Sequence, residues 1–259
     1  MNRAKEMKFI RISINEFKAL LNRACEAYYG HKYDFEDTAA IIQWLELHEL
    51  MGVVNFLEIT NVDPKKLKLL PVISEDQKKR FVFHNQDHSL IHTSSIITDM
   101  TLAKCHRDNL CHTNIINILD PIAILPSLIK CSQKGYHAKA WWTDSEKNLL
   151  HMASINPNEQ YPSYSIIKIN TLIPNNNSDL DLICSRNRIN SIESSIKIQP
   201  ISNKENIIQE ISVSEFKQYY NHKIINGLHI KTNYYQKLLQ IADQILVEAS
   251  EQSRLGAGE

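Results

Sequence analysis

Two stretches near opposite ends of the chain carry the same helix-start signature. Ser13, Glu16, Phe17 and Lys18 in the first are matched by Ser212, Glu215, Phe216 and Lys217 in the second. A serine followed three residues later by a glutamate lets side chain and backbone satisfy each other's open hydrogen-bonding groups in the first helical turn. Helices are therefore expected after both positions. The shared pattern is six residues long, too short for an internal duplication. Between the two, the apolar residues fall at the shorter spacing of strands. The chain is expected to be α+β or mixed α/β, with an N-terminal helical hairpin, a central short-stranded sheet region and C-terminal helices.

In the hairpin, Phe17, Leu20, Leu21, Ala24 and Tyr28 share one helical face and Gly30 stops the helix. A second helix begins near Asp34 and places Thr38, Ile41, Ile42 and Leu45 on one stripe, with Gly52 as its stop. From Lys79 the period changes: Phe81 and Phe83 alternate with Val82 and His84, and His88 to Ile97 reads as strand and turn. Thr101 to His112 fits either period. Asp120-Pro121 opens a helical segment over Ile122 to Cys131, in which Pro126 either kinks the helix or delays its start. Gly135 closes it, and Ala138 to Trp142 follows as a strand. The combination resembles half of a βαβ unit without a glycine-rich phosphate loop. Further strands are expected at Tyr164 to Ile173, Leu180 to Ile183 and Ile192 to Ile198. A last helix, Tyr234 to Ala249, sets Tyr235, Leu238, Leu239, Ala242 and Leu246 on one face. The length suits one domain over residues 1–259, with 1–60 as a helical N-terminal subregion.

Charge narrows the partners. Twenty-nine basic residues balance 29 acidic ones, which argues against a nucleic-acid binder working through a basic field. The apolar run Ile115 to Ile129 is broken by Asn117, Asp120 and two prolines, so no membrane span is expected. Met1 to Ile12 lacks the apolar stretch of a signal peptide. Five cysteines, odd in number and loosely spaced, point to reduced thiols and a cytoplasmic location. A small-molecule ligand is the expected partner. Amphipathic helices at both ends also admit a homo-oligomer. The residues name no cofactor.

Candidate site residues fall into four groups. His92, spaced four apart with His84 and His88, joins the doublets Cys105-His106 and Cys111-His112 as donors of a type that suits zinc. The doublet spacing is wider than in structural zinc sites, so buried thiols beside polar histidines are the competing reading. Adjacent strand residues also point to opposite faces. His31 and His48 are catalytic candidates as polar groups on a pocket rim, or else helix-end histidines held by the dipole. Arg186 and Arg188, two apart after a short strand, either bind a carboxylate or phosphate together or are solvated loop residues. Ser253, Arg254, Gly256 and Gly258 close the chain with a guanidinium and backbone N–H groups suited to an anion, or with a capped helix end. No nucleophile elbow, P-loop, dinucleotide fingerprint or CxxC is present. Three functions stay open: a small-molecule enzyme, or degenerate relative of one, acting on an anionic metabolite; a non-catalytic binding or assembly protein; and a zinc-binding protein.

Three blocks carry a family resemblance. They are Ser13, Asn15 and Glu16 through Tyr28, Gly30, Trp44, Leu45 and Gly52; Asp120-Pro121-Ile122-Ala123-Ile124-Leu125-Pro126; and Ser253-Arg254-Leu255-Gly256-Ala257-Gly258. Together these blocks resemble the uncharacterised bacterial family DUF3726, whose terminal Ser-Arg-x-x-Gly-Ala-Gly stretch is one residue shorter here between Arg254 and Gly256. That resemblance implies no assigned activity. The hairpin is also similar to the start of the malate/L-lactate dehydrogenase type-2 group. This implies a fold that binds a nicotinamide cofactor without the usual fingerprint. The group's Ser-His-Gly element is replaced by Met51-Gly52-Val53.

Overall fold

A computed structural model describes residues 8–30, 34–62, 70–169, 179–189 and 206–256, with the backbone alone for 246–256. The chain divides into two compact units, Met1–Leu67 with Gln218–Glu259, and Lys68–Lys217.

The first unit is helical. Strand β1 (Phe9–Ile12) leads into α1 (Ile14–Tyr29), where the Ser13–Glu16 capping box forms as expected and Gly30, at φ 60°, ends the helix. Next come α2 (Phe35–Leu47), capped by the Asp34 side chain, and α3 (Gly52–Ile59). Here the sequence reading needs correction, because Gly52 opens α3 and does not stop α2. A Cβ at this position would lie 2.2 Å from the Ile42 carbonyl oxygen and 3.0 Å from the Glu46 nitrogen, so the two helices meet where only glycine fits. Glu46 then accepts the Val53 N–H at 3.0 Å, filling the place of a missing side-chain cap. The C-terminal segment completes the unit, with β10 (Leu228–Lys231) antiparallel to β1 and α7 (Thr232–Gly256) packed on α1. Phe17, Leu21, Ala24, Ile42, Leu45, Phe56, Leu238 and Ala242 form its core. The last helix runs past Ala249, where the sequence reading ended it. Ser253, Arg254 and Gly256 therefore have helical backbone, with N–H groups directed along the axis instead of gathered in a loop. Gly258, like His31, lies outside the described residues.

The second unit is a mixed sheet of eight strands in the order β2-β3-β4-β8-β5-β6-β7-β9. In chain order these are β2 (Val72–Gln77), β3 (Arg80–Ser89), β4 (Leu110–Leu119), β5 (His137–Asp144), β6 (Leu149–Ile155), β7 (Ser163–Lys168), β8 (Leu180–Ser185) and β9 (Ile207–Ile211). Among the described residues, only β3 and β4 pair in parallel, and they are joined through helix α4 (Leu90–Asp108). The stretch after His88, expected as strand and turn, is thus helical from Leu90. The ambiguous Thr101 to His112 is helix to Asp108 and strand from Leu110. A 3-10 turn (Pro121–Ile124) delays α5 (Leu125–Gln133), with Pro126 in its first turn, as one of the two expected outcomes had it. Helix α6 (Val213–Asn226), opened by Ser212 and Glu215, carries the chain out of this unit. The strand expected at Ile192 to Ile198 lies outside the described residues.

Helices α4 and α5 cover one sheet face, burying Cys111, Thr113 and Ile115 of β4 with Leu182 and Cys184 of β8. On the other face, Trp141, Leu150, Ile167, Ile169 and Ile183 form a second apolar cluster.

Candidate functional site at the carboxyl edge of the parallel strands

In sheets with parallel strands, ligands bind beyond the strand carboxyl ends, where loops leave the sheet. Here that edge is formed by the ends of β3 and β4. Register breaks between His84, opposite Ile116, and His88, opposite Ile118, so residues 85–87 stand against Asn117 alone. The bulge forces backbone into the left-handed region without glycine: Gln86 (φ 55°), Asp87 (60°), Asn117 (55°) and, one turn on, Asp120 (53°). Such conformations persist only where surrounding structure holds them, and they concentrate at functional sites.

Asn85 is what holds the bulge. Its fully buried side chain donates to the His88 carbonyl at 2.7 Å and accepts from the Thr93 hydroxyl at 2.7 Å, tying the loop to the first turn of α4. A polar run follows across the edge. The Gln86 N–H donates to His84 Nδ1 at 3.3 Å, His84 Nε2 lies 3.0 Å from Asn117 Nδ2, and the Asn117 N–H donates to Asp179 Oδ1 at 3.4 Å. Burial raises the Asp179 carboxyl above the usual range, and nearby Asp181 adds to this against the pull of His84 and the Asn117 N–H. His92 is lowered to about 4, by burial first and by His88 second, which keeps it neutral near pH 7. Helix α4 points its N-terminus at this edge. Ser89 caps it, and its first turn holds no acidic residue, so its partial positive charge stays available. The edge thus combines imidazoles, a carboxyl group biased toward its neutral form and a helix N-terminus. Such a set can hold a carboxylate and exchange protons with it.

The residues singled out from the sequence go to different places. His48 caps α2 and is 1% exposed, with Nδ1 2.6 Å from the Trp44 carbonyl oxygen and its ring against Trp44. Burial lowers it to about 4. Met51, where the dehydrogenase group carries its Ser-His-Gly element, is 64% exposed and left-handed at φ 55°. Cys105 donates to the Cys184 carbonyl at 3.2 Å, and Cys111 is buried beside Thr113. His112, on the opposite face of β4, lies 2.8 Å from Asp181, which also accepts from Asn114 at 3.2 Å. His106 Nδ1 sits 3.2 Å from the Tyr136 hydroxyl and 3.1 Å from Arg186 Nη2. Among the described residues, no three His, Cys, Asp or Glu side chains are placed to hold a metal ion. Arg186 and Arg188 part company: Arg186 lies over the Tyr136 ring, whereas Arg188 lines a cavity with Lys139. The carboxyl-edge residues His84, Asn117 and Asp179 were missed as a group. The left-handed Asn117 and Asp120 would have been the signal, but nothing in local spacing marks them.

No protein-family model matches the sequence, and no curated protein matches it. Solved structures do match in fold. A malate dehydrogenase from Pyrococcus horikoshii superposes with a TM-score of 0.64 at 8% identity, covering 95% of this chain and 99% of that one. A sulfolactate dehydrogenase from Methanocaldococcus jannaschii gives 0.59 at 9% identity, covering 91% and 97%. A delta1-piperideine-2-carboxylate reductase from Pseudomonas syringae gives 0.60 at 9%, covering 90% and 99%. The similarity first seen in the N-terminal hairpin therefore extends to the fold over nearly the whole chain. Among the described residues, no helix is long and apolar enough to cross a membrane.

A dehydrogenase fold raises the question of a nicotinamide dinucleotide. The bulged end of β3, which runs straight into α4, reads Asn85-Gln86-Asp87-His88-Ser89, and the exit from β4 reads Leu119-Asp120-Pro121. Neither offers the glycine backbone that lets a pyrophosphate approach, and each sets a carboxylate there. These two turns do not form a fingerprint-type phosphate site.

Proposed function

We propose that this protein binds a small anionic metabolite at the carboxyl edge of β3 and β4, and that His84 with Asp179 exchanges protons with it. It is a small-molecule enzyme, or a degenerate relative of one, on a dehydrogenase fold. The observation that carries this reading is that Asn117, left-handed opposite the β3 bulge, brings His84 and Asp179 to one place, its side chain 3.0 Å from His84 Nε2 and its N–H donating at 3.4 Å to a carboxyl group whose pKa burial raises. An imidazole beside a carboxyl group whose pKa burial raises is a pairing suited to passing a proton to or from a bound acid. The named substrates of the fold neighbours, malate, sulfolactate and a piperideine carboxylate, support an anionic ligand.

The test is a thermal-shift and calorimetric panel of small 2-hydroxy and 2-oxo acids, with and without nicotinamide dinucleotides. A carboxylate should stabilise the protein without the dinucleotide, and His84→Ala or Asp179→Asn should weaken its binding by about tenfold. A panel that leaves the melting temperature unmoved throughout would sink the reading.

A second reading, a self-assembling protein, is favoured by one feature of the first unit. Ile224 and Ile225 of α6 are 55% and 75% exposed beside a cavity of about 530 Å³ that also takes in Arg11 and Tyr220. Light scattering that finds a strict monomer at high concentration excludes it.

A further inference from the structure

The edge of the sheet opposite the proposed site holds a different kind of cavity. Strand β5 runs in the same direction as β4, because both are antiparallel to β8 between them. The start of β5 therefore lies at the amino edge. Lys139 of β5 stands opposite Ser154 of β6, and His137 precedes it on the same face. Beyond the end of β8 the chain brings Ile189 against the apolar cluster around Trp141 and Ile183, and Arg188 comes with it. Lys139, Arg188, His137, Ser154 and Asn156 line a cavity of about 300 Å³.

The charge in this cavity is one-sided. Lys139 and Arg188 line the same cavity, where burial lowers the Lys139 pKa and Arg188 lowers it further. Among the described residues, no carboxylate forms an ion pair with either. Glu159, which neighbours the Asn156 wall, is committed elsewhere. Its two oxygens accept from the Asn156 N–H at 2.7 Å and the Asn156 side chain at 2.9 Å. The Asn156 carboxamide oxygen in turn meets His137 Nδ1 at 3.2 Å. The Glu159 carboxylate thus fixes the wall of the cavity. Holding a partly buried lysine beside a second cation costs free energy that a bound anion would offset.

We propose that the Lys139–Arg188 cavity is a binding site for a compact dianionic oxyanion, a phosphate group or a paired carboxylate, separate from the carboxyl-edge site. Counting strands and residues across the sheet, Lys139 and Asn117 are about 19 Å apart at their Cα atoms. One small ligand does not reach both. The volume suits a ligand of roughly ten non-hydrogen atoms at the small end of ordinary pockets. A lysine point charge beside an arginine fork accepts phosphate and carboxylate alike. The site therefore selects charge, and the rest of the ligand must be told apart by experiment.

Calorimetry at low ionic strength with inorganic phosphate, citrate, acetate and chloride tests this on the intact protein. Phosphate or citrate should bind with Kd about 1 mM or tighter, and acetate and chloride at least about tenfold more weakly. Preference for phosphate over citrate assigns a phosphate-bearing ligand, and the reverse assigns a polycarboxylate. Lys139→Met and Arg188→Met should each weaken binding by about tenfold or more. Lys139→Met should also raise the melting temperature of the ligand-free protein while abolishing the rise that phosphate brings; a merely structural lysine would lower it. His84→Ala should leave phosphate binding unchanged, so failure of the carboxyl-edge reading and failure of this one are distinguishable. Binding that survives both methionine variants, or no saturable binding of any dianion, overturns the proposal.

Discussion

Replacing Asn85 tests the bulge that shapes the proposed site. Asn85 and Thr93 are 0% and 1% exposed, so neither can trade a lost partner for water. Asn85→Ala removes two hydrogen bonds, from the Thr93 hydroxyl and to the His88 carbonyl. Each bond contributes about 1 kcal/mol net, and each partner left buried and unsatisfied adds about 1–3 kcal/mol, less what relaxation recovers. The expected cost is about 3–4 kcal/mol. Thr93→Val keeps the shape and orphans only the Asn85 oxygen, for about 1.5–2 kcal/mol. In the double variant the valine removes the hydroxyl that Asn85→Ala had stranded. The two costs should therefore fall short of adding by about 1–2 kcal/mol. Urea unfolding followed by Trp141 and Trp142 fluorescence in a Trp44→Phe background reads the second unit alone, since Trp44 lies in the first. Asn85→Ala should also weaken carboxylate binding, because His84 and His88 flank the loop it holds. Additivity within about 0.5 kcal/mol, or a cost for Asn85→Ala below about 1 kcal/mol, would refute the assignment of Asn85 as the clamp.

Two further outcomes follow from the first unit. Gly52→Ala drives a methyl group against the Ile42 carbonyl and the α2 backbone, so it should cost about 3 kcal/mol or more and lower the melting temperature by several degrees. Burial holds the His48 pKa at about 4 in the folded protein, against about 6.5 unfolded, so the unfolded chain binds the extra proton. Its contribution is complete above pH 6.5 and is lost as pH falls from there toward 4, at most about 3 kcal/mol. Acid titration of urea stability should show that slope, and His48→Gln should flatten it.

Local chemistry was legible where one turn of chain decides the outcome. The capping boxes at Ser13 and Ser212, the helix start near Asp34 and the stop at Gly30 needed no tertiary information, and Pro126 narrowed its segment to a kink or a delayed start. Helix α4 was hidden because its buried side includes Thr93, Ser94, Thr98 and Thr101. These hydroxyls blur the apolar period, yet they can be buried; Thr101, for one, bonds back to the Ile97 carbonyl at 2.8 Å and meets Thr113 at 2.7 Å. Gly52 misled for a related reason, since a glycine required by a neighbouring helix looks in sequence like a helix stop. Strands β1, β2, β6, β9 and β10 went unread, β6 because its apolar residues are interrupted by His151 and Ser154. The carboxyl-edge site was invisible because Asp179 meets Asn117 from 62 residues away, through a register that only the folded sheet sets. The cavity at the other edge was half legible. Arg188 was marked, but its partner is Lys139 and not Arg186.

The first unit is assembled from residues 1–67 and 218–259, with the second unit contiguous between them. On the ribosome this order matters. α1 emerges early with Phe17, Leu21 and Ala24 seeking a partner, but α7 is made about 200 residues later, about 10–40 s at ordinary rates of synthesis. The sheet unit can close during that wait, while the N-terminal helices remain exposed substrates for chaperones. Truncation before β10 should consequently leave the sheet folded and the nascent helices trapped without a mate, turning an apparently minor loss at the far end into misfolding of the part made first.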